Sequence, residues 1–141
     1  MSTDFRKSTV YQIYPKSFCD TNGDGLGDLR GVIEKLDYIK ELGVDYIWLT
    51  PFFVSPQNDN GYDVADYYNI DPAYGTMKDV EELIAEGKKR GIGLMFDMVF
   101  NHVSTSHEWF RKAMEGDPYY KDFFIFRKGK GAGVPPTNWE S

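Results

Sequence analysis

The chain has 141 residues, of which 41% are apolar and 27% are charged, and its formal net charge is −6. This composition predicts a globular segment of about one domain and argues against intrinsic disorder. The acidic balance disfavours nucleic-acid binding. No apolar run approaches the roughly 18 residues of a membrane span, and no apolar leader opens the chain, so we expect a cytoplasmic protein without a membrane segment.

The first third of the chain predicts a strand followed by a helix. "TVYQIYP", residues 9–15, is rich in β-branched and aromatic residues and predicts a strand that ends at Pro15. The apolar residues of "DLRGVIEKLDYIKELG" recur at helical spacing. Asp28 is a suitable N-cap and Gly43 a suitable stop, so the pattern predicts one helix between them.

Two further strands with a helix between them follow. "VDYIWLTP" from Val44 and "GIGLMFDMVFN" from Gly91 are nearly continuous apolar runs, as expected for strands covered on both faces. Between these runs, Thr76 and Asp79 form a capping-box signature. The resulting order, β-α-β-α-β, predicts parallel strands joined by right-handed crossovers.

A (β/α)₈ barrel fits this order better than a dinucleotide-binding fold does. The glycines after the first strand alternate at 23, 25 and 27 and do not match the dinucleotide fingerprint. The loop after the second strand, from Pro51 to about Lys78, is long, and barrels place their function in such loops.

The last part of the chain, residues 103–141, lacks the alternation of apolar strands and helices seen before it. Its sequence predicts a short helix from Glu108 to Met114, an aromatic strand "DFFIF" and a Gly/Pro-rich tail.

An acidic glycine-rich loop, "CDTNGDGLGDLRG", raises the question of a metal site. Its oxygen-bearing side chains alternate around Gly25, and the Leu26 carbonyl is a natural backbone ligand, which suits a hard cation such as Ca²⁺ or Mg²⁺. An EF-hand would require a glutamate where Gly31 stands. The alternative is a plain turn in which the carboxylates cap the helix. The candidate ligands are Asp20, Asn22, Asp24, Leu26 and Asp28.

Two further polar patches are candidate sugar-binding elements. "SPQNDNGYDVADY" places Asp59 and Tyr62 side by side on the long loop, and a sugar needs both polar acceptors and an apolar platform. "FDMVFNH" places Asp97 inside an apolar strand and His102 at its carboxyl end, the active-site end of a barrel. A polar turn and a buried structural aspartate are the alternatives. His107 is expected to be an ordinary exposed histidine.

Taken together, these motifs resemble a known family. "VYQIYPKSF", "DTNGDGLGDLRG", "GVDYIWLTPFFVSP", "DNGYDVADY" and "FDMVFNH", in this order, resemble the start of the alpha-glucosidase branch of the alpha-amylase-type glycoside hydrolases. The resemblance covers essentially the whole chain. It implies an α/β fold, the N-terminal part of a (β/α)₈ TIM barrel with three βα units in residues 1–102, and the start of an inserted domain in 103–141.

The resemblance also implies roles for individual residues. Asp59 and Tyr62 would hold the terminal glucose, by hydrogen bonds and by stacking, and His102 would bind near its 6-hydroxyl. Asp97 would support this site. The acidic loop would hold a structural Ca²⁺ or Mg²⁺. The implied reaction is retaining hydrolysis of terminal alpha-glucosidic bonds in a small carbohydrate, either a phosphorylated glucose disaccharide or an alpha-1,6-linked oligosaccharide.

The catalytic carboxylates of that family follow its fourth and fifth barrel strands, and this sequence has three predicted barrel strands. An eight-unit barrel takes about 250 residues. The chain is therefore expected to be an inactive N-terminal fragment of a glycosidase, with no catalytic residue of its own. The alternative of another class is a non-catalytic module that binds metal or sugar. An uncovered apolar edge on the third strand favours the fragment.

Overall fold

The computed structural model describes residues 4–138, which divide into two compact units within residues 1–107 and 108–141. The prediction that an inserted domain starts at residue 103 stays a prediction. Residues 139–141, the end of that predicted domain, lie outside the described residues. Helices and strands of the first unit occur in this order: β1 (Val10–Ile13), α1 (Pro15–Phe18), α2 (Leu29–Glu34), α3 (Leu36–Glu41), β2 (Tyr46–Leu49), β3 (Phe53–Val54), β4 (Asp66–Ile70), α4 (Met77–Lys89) and β5 (Gly93–Phe96).

Three strands form a parallel sheet in the order β1-β2-β5, as the sequence predicts. Ile13, Leu49 and Phe96 lie in one row across the sheet, so they share a face. That face packs on the core together with apolar residues of the helices, among them Leu36 and Leu83. This arrangement is that of successive βα units of a (β/α)₈ barrel, and the predicted fold class is confirmed.

Helix α4 begins and ends where its local signals predict. The Thr76 side chain accepts from the Asp79 amide, and the Asp79 side chain accepts from the Thr76 amide, which completes the capping box. Val80, Leu83 and Gly87 are buried on one side of the helix. Basic residues occupy its last turn, where they complement the helix dipole.

Three predictions for the first unit are wrong in detail. The first strand ends at Ile13, because Pro15 opens the short helix α1 instead of terminating the strand. The predicted helix between Asp28 and Gly43 is two helices, since Lys35 leaves helical geometry with φ −94° and ψ 3°. The long loop also contains secondary structure: β3 and β4 pair antiparallel with an irregular register.

The second unit contains α5 (Glu108–Glu115), which agrees with the prediction, and α6 (Pro118–Lys121). The predicted strand "DFFIF" is wrong. The Asp117 side chain caps α6 by accepting from two amides, and the following aromatic rings pack on helix residues, with Phe123 edge-on to Trp109. The aromatic residues of this segment therefore make ring contacts with α5 and do not pair as a strand.

In the part of the chain that the structure describes, no helix is both long and apolar enough to cross a membrane.

Candidate active site

The candidate site lies at the carboxyl ends of the parallel strands, where β2 and β5 stop. Asp97 directly follows β5, and its amide donates to the Leu49 carbonyl oxygen at 3.2 Å. The sequence placed Asp97 inside the strand, whereas the structure places it one residue beyond the end. Its carboxylate is half-buried there and has a partner, which resolves the cost of a charge in an apolar strand.

That partner is Tyr62, carried to the site by the long loop. The Tyr62 hydroxyl donates to the Asp97 carboxylate at 3.2 Å. Burial raises the pKa of Tyr62, and the carboxylates of Asp97 and Asp59 raise it further. The phenol is therefore a hydrogen-bond donor at neutral pH, and its ring is fixed in one orientation beside two acidic groups.

His102 joins the same cluster through its ring nitrogens. Nε2 lies 3.0 Å from the Tyr62 carbonyl oxygen, and Nδ1 lies 2.6 Å from the Asn101 amide nitrogen. Because an amide nitrogen only donates, Nδ1 accepts and the proton sits on Nε2. Both ring nitrogens are engaged within the protein, so a sugar hydroxyl would have to share Nε2 with the Tyr62 carbonyl.

Tyr67, in β4, is hydrogen-bonded to the segment that carries His102. The Tyr67 hydroxyl shares its one proton between the carbonyl oxygens of Val99 and His102, the latter at 2.8 Å. The ring of Tyr67 also contacts the ring of His107, with centroids 5.8 Å apart. His107 is only 5% exposed, so its prediction as an exposed histidine is wrong. It is buried against the Tyr67 ring, which nothing in its local spacing signals.

Asp59 is exposed at the tip of the loop, and its backbone makes both of its contacts in the turn. Its carbonyl accepts from the Tyr62 amide at 3.0 Å, and its amide donates to the Asp63 carboxylate at 3.0 Å. The structure thus brings Asp59, Tyr62, Asp97 and His102 into one region. An exposed carboxylate beside an oriented phenol is suited to bind sugar hydroxyls. The sugar-binding role of each residue stays a prediction.

The acidic loop has the backbone geometry of a tight Asx-rich turn. The Asp20 carboxylate accepts from the amides of Asn22, Gly23 and Gly25, and Asp24 accepts from Leu26 at 2.8 Å. Hydrogen bonds from Gly25 and Gly23 lower the pKa of Asp20 and keep it ionised. These bonds fold the loop into successive tight turns, in which Gly23 and Gly25 adopt the left-handed backbone conformation.

Asp28 at the end of this loop has a second role as the N-cap of α2. One of its oxygens accepts from the Gly31 amide at 2.7 Å, and the other accepts from the Thr21 amide and hydroxyl. Within residues 4–138, no three His, Cys, Asp or Glu side chains converge as a metal-binding group. A cation would therefore depend on neutral oxygens as well, from Asn22 and the Leu26 carbonyl, a donor set that fits Ca²⁺ better than a transition metal.

The family of the chain follows from comparison with known proteins. The model of the alpha-amylase catalytic domain matches residues 12–141. The chain belongs to the alpha-amylase catalytic-domain family, and its parallel βα units form part of that barrel.

Two enzymes within this family illustrate the similarity. The chain is 58% identical over 137 residues to trehalose-6-phosphate hydrolase of Escherichia coli strain K12, covering 97% of this chain and 25% of that enzyme. It is 50% identical over 142 residues to oligo-1,6-glucosidase of Heyndrickxia coagulans, covering 100% of this chain and 26% of that enzyme. The chain thus spans about a quarter of the length of these relatives.

A solved structure agrees with this relation. The crystal structure of trehalose-6-phosphate hydrolase of Bacillus licheniformis matches with a TM-score of 0.89 and 61% sequence identity, over 97% of this chain and 25% of that one.

Proposed function

We propose that the chain forms the N-terminal barrel segment of a retaining alpha-glucosidase that splits trehalose 6-phosphate into glucose and glucose 6-phosphate. The observation that carries the proposal is the cluster of Tyr62, Asp97 and His102 at the carboxyl ends of the strands. It occurs in a chain 58% identical to a trehalose-6-phosphate hydrolase. In this proposal Asp59 and Tyr62 bind the terminal glucose, and Asp97 holds the Tyr62 phenol in place.

Hydrolysis itself is assigned to residues outside this chain. A retaining glycosidase needs a nucleophile and an acid/base about 5–5.5 Å apart. The family resemblance gives Asp97 a supporting role, as the acceptor of the Tyr62 hydroxyl, and places the catalytic carboxylates after a fourth and a fifth barrel strand, beyond the three parallel strands of this segment. The segment of residues 1–141, purified alone, is therefore expected to bind sugar weakly and to hydrolyse no glucoside. We place the enzyme in the cytoplasm, because a phosphorylated disaccharide is an intracellular metabolite.

Isomaltose-type oligosaccharides are the second candidate substrate. An oligo-1,6-glucosidase is 50% identical to this chain, and both substrates present the same terminal glucose to Asp59 and Tyr62. These residues consequently cannot discriminate between the substrates. Discrimination requires cationic groups placed for the phosphate on the second sugar, and charge-assisted contacts of that kind are strong enough to decide it.

Substrate preference is the test of this proposal. For the protein expressed from its complete reading frame, kcat/KM on trehalose 6-phosphate is expected to exceed that on isomaltose at least about tenfold, the effect of roughly 1.4 kcal/mol. Unphosphorylated trehalose is the control that isolates the contribution of the phosphate. A preference for isomaltose would reject the phosphotrehalase assignment and leave the glucosidase class intact, and inactivity on every glucoside would favour the non-catalytic module.

The acidic loop is proposed to hold a structural Ca²⁺, with Mg²⁺ as the weaker alternative, through Asp20, Asn22, Asp24, Asp28 and the Leu26 carbonyl. When bound, the ion would fix the connection between α1 and α2 by charge neutralisation. The oxygen-bearing side chains at alternate positions of a tight glycine-rich loop support this assignment.

Calcium titration by calorimetry is expected to give a saturable heat with the parent protein, and Asp24→Ala is expected to weaken binding at least about tenfold because affinity follows the number of charged ligands. Asp45→Ala, at the opposite end of the strands, is the matched control and should bind like the parent. Absence of heat from a parent whose circular dichroism shows it to be folded would reject the site.

A further inference from the structure

The turn that presents Asp59 and Tyr62 has an intrinsically unfavourable backbone. Gln57, Asn60 and Gly61 have φ values of 61°, 52° and 97°, all in the left-handed region. Glycine and asparagine tolerate this region, but a glutamine occupies it only at a cost that its surroundings must offset, and such residues gather at functional sites. Something in the turn must therefore hold residues 57–61 in this shape.

The Asp63 carboxylate is placed to do this. One oxygen accepts from the Ser55 hydroxyl at 2.8 Å and from the Asp59 amide at 3.0 Å, and the other accepts from the Asn58 amide at 2.9 Å. The Ser55 hydroxyl in turn accepts from the Gln57 amide at 3.0 Å. Residues 57–59, the first part of the turn, are thus tied to a single side chain, either directly or through Ser55.

Charge and burial fit this arrangement. Asp63 is half-buried, and burial opposes its ionisation, yet the bonds from the Asp59 amide, the Ser55 hydroxyl and the Asn58 amide outweigh burial and lower its pKa. Three donors converge on an ionised acceptor, the stronger class of hydrogen bond. An asparagine has nearly the same shape, but it offers one acceptor oxygen and turns an NH₂ group toward one of these donors.

We propose that Asp63 is a positioning residue for glucose binding: it holds the turn that presents Asp59 and leads to Tyr62, whose hydroxyl donates to Asp97. This inference rests on the proposed function for its consequence in catalysis, while the hydrogen-bond geometry stands by itself. The two can be measured separately, because the geometry is visible in amide exchange and the consequence in the kinetic constants.

The first measurement is native-state amide hydrogen exchange on the parent, on Asp63→Asn and on Asp45→Asn. Asp45 is the matched control, since its carboxylate also accepts a backbone amide, that of Thr9 at 2.7 Å, but at the amino ends of the strands. Asp63→Asn is expected to speed exchange of the Asn58 and Asp59 amides at least about tenfold, and Asp45→Asn to affect Thr9 alone. Unchanged exchange at Asn58 and Asp59 in Asp63→Asn would overturn the proposal.

The second measurement is steady-state kinetics on p-nitrophenyl alpha-glucoside, with the protein expressed from its complete reading frame. Asp63→Asn is expected to raise KM about tenfold and to change kcat by less than about threefold, because it disorders a ground-state contact. Asp45→Asn should match the parent in both constants. Equal losses of kcat in both variants would mean general destabilisation and overturn the positioning role. An inactive parent would reject the proposed function, and the exchange result would then decide the role of Asp63 in the turn.

Discussion

Replacing Gly31 by Ala is expected to lower the free energy of unfolding by about 3 kcal/mol, the upper end of the usual overpacking penalties. A Cβ at this position of α2 would lie 2.1 Å from the Cys19 carbonyl oxygen and 2.7 Å from the Cys19 Cβ. The carbonyl cannot swing aside, because it accepts the Asp28 amide at 3.0 Å. Thermal unfolding followed by circular dichroism should show a midpoint roughly 10 °C below that of the parent.

Gly87→Ala in α4 is the matched control for this substitution. Both glycines are buried in helices, but the nearest atom to a Cβ at Gly87 is the Ile92 carbonyl oxygen at 3.2 Å, a contact that small shifts relieve. Alanine also gains up to about 1 kcal/mol of helix propensity over glycine. Gly87→Ala should therefore stay within about 1 kcal/mol of the parent. Equal stability of the two variants would contradict the close approach of α2 to Cys19.

The elements that the sequence predicted well are those whose local signals agree with their tertiary contacts. The capping box of Thr76 and Asp79 starts α4 where its apolar stripe begins. The continuous apolar runs became β2 and β5; Ile47 and Leu49 of β2 are fully buried, whereas Met95 of β5 is 38% exposed, so the expected cover on both faces is incomplete at β5. The predictions of these helices and strands were correct because residue propensity, apolar spacing and tertiary packing all favour the same structure.

The errors fall where distant contacts override local signals. β3 has two residues and exists because Phe53 pairs with Ile70, seventeen positions away, so no local pattern could reveal it. The break at Lys35 involves an ordinary helix-forming residue. "DFFIF" has strong strand propensity, but its rings find partners in the preceding helices instead of a neighbouring strand.

For the candidate site too, the sequence predicted one part, the identity of the residues, and missed another, the contacts between them. Residue types and order sufficed to single out Asp59, Tyr62, Asp97 and His102, because a long loop and strand ends of a barrel converge at one edge. The hydrogen-bond partners of these side chains could not be predicted from the sequence. The Tyr62 hydroxyl reaches Asp97 across thirty-five positions, and the ring nitrogens of His102 are claimed by neighbours in the fold.

Asp59→Asn is expected to reduce kcat/KM on trehalose 6-phosphate about 100-fold, in the protein expressed from its complete reading frame. One charge-assisted hydrogen bond contributes about 1.5–3 kcal/mol, which corresponds to roughly 10–150-fold. The substitution is a clean probe, since Asp59 holds the turn through its backbone amide and carbonyl, which asparagine retains.

Asn60→Gly is the matched control for Asp59→Asn. Asn60 is the exposed neighbour of Asp59 and has φ 52°, a conformation that glycine adopts without strain. This variant removes an adjacent polar side chain and preserves the turn, so its kcat/KM is expected to stay within about threefold of the parent. If Asp59→Asn also stays within that range, the Asp59 carboxylate does not bind the glucose. Recognition would then have to come from Tyr62 and His102, whose polar atoms already have partners in the protein.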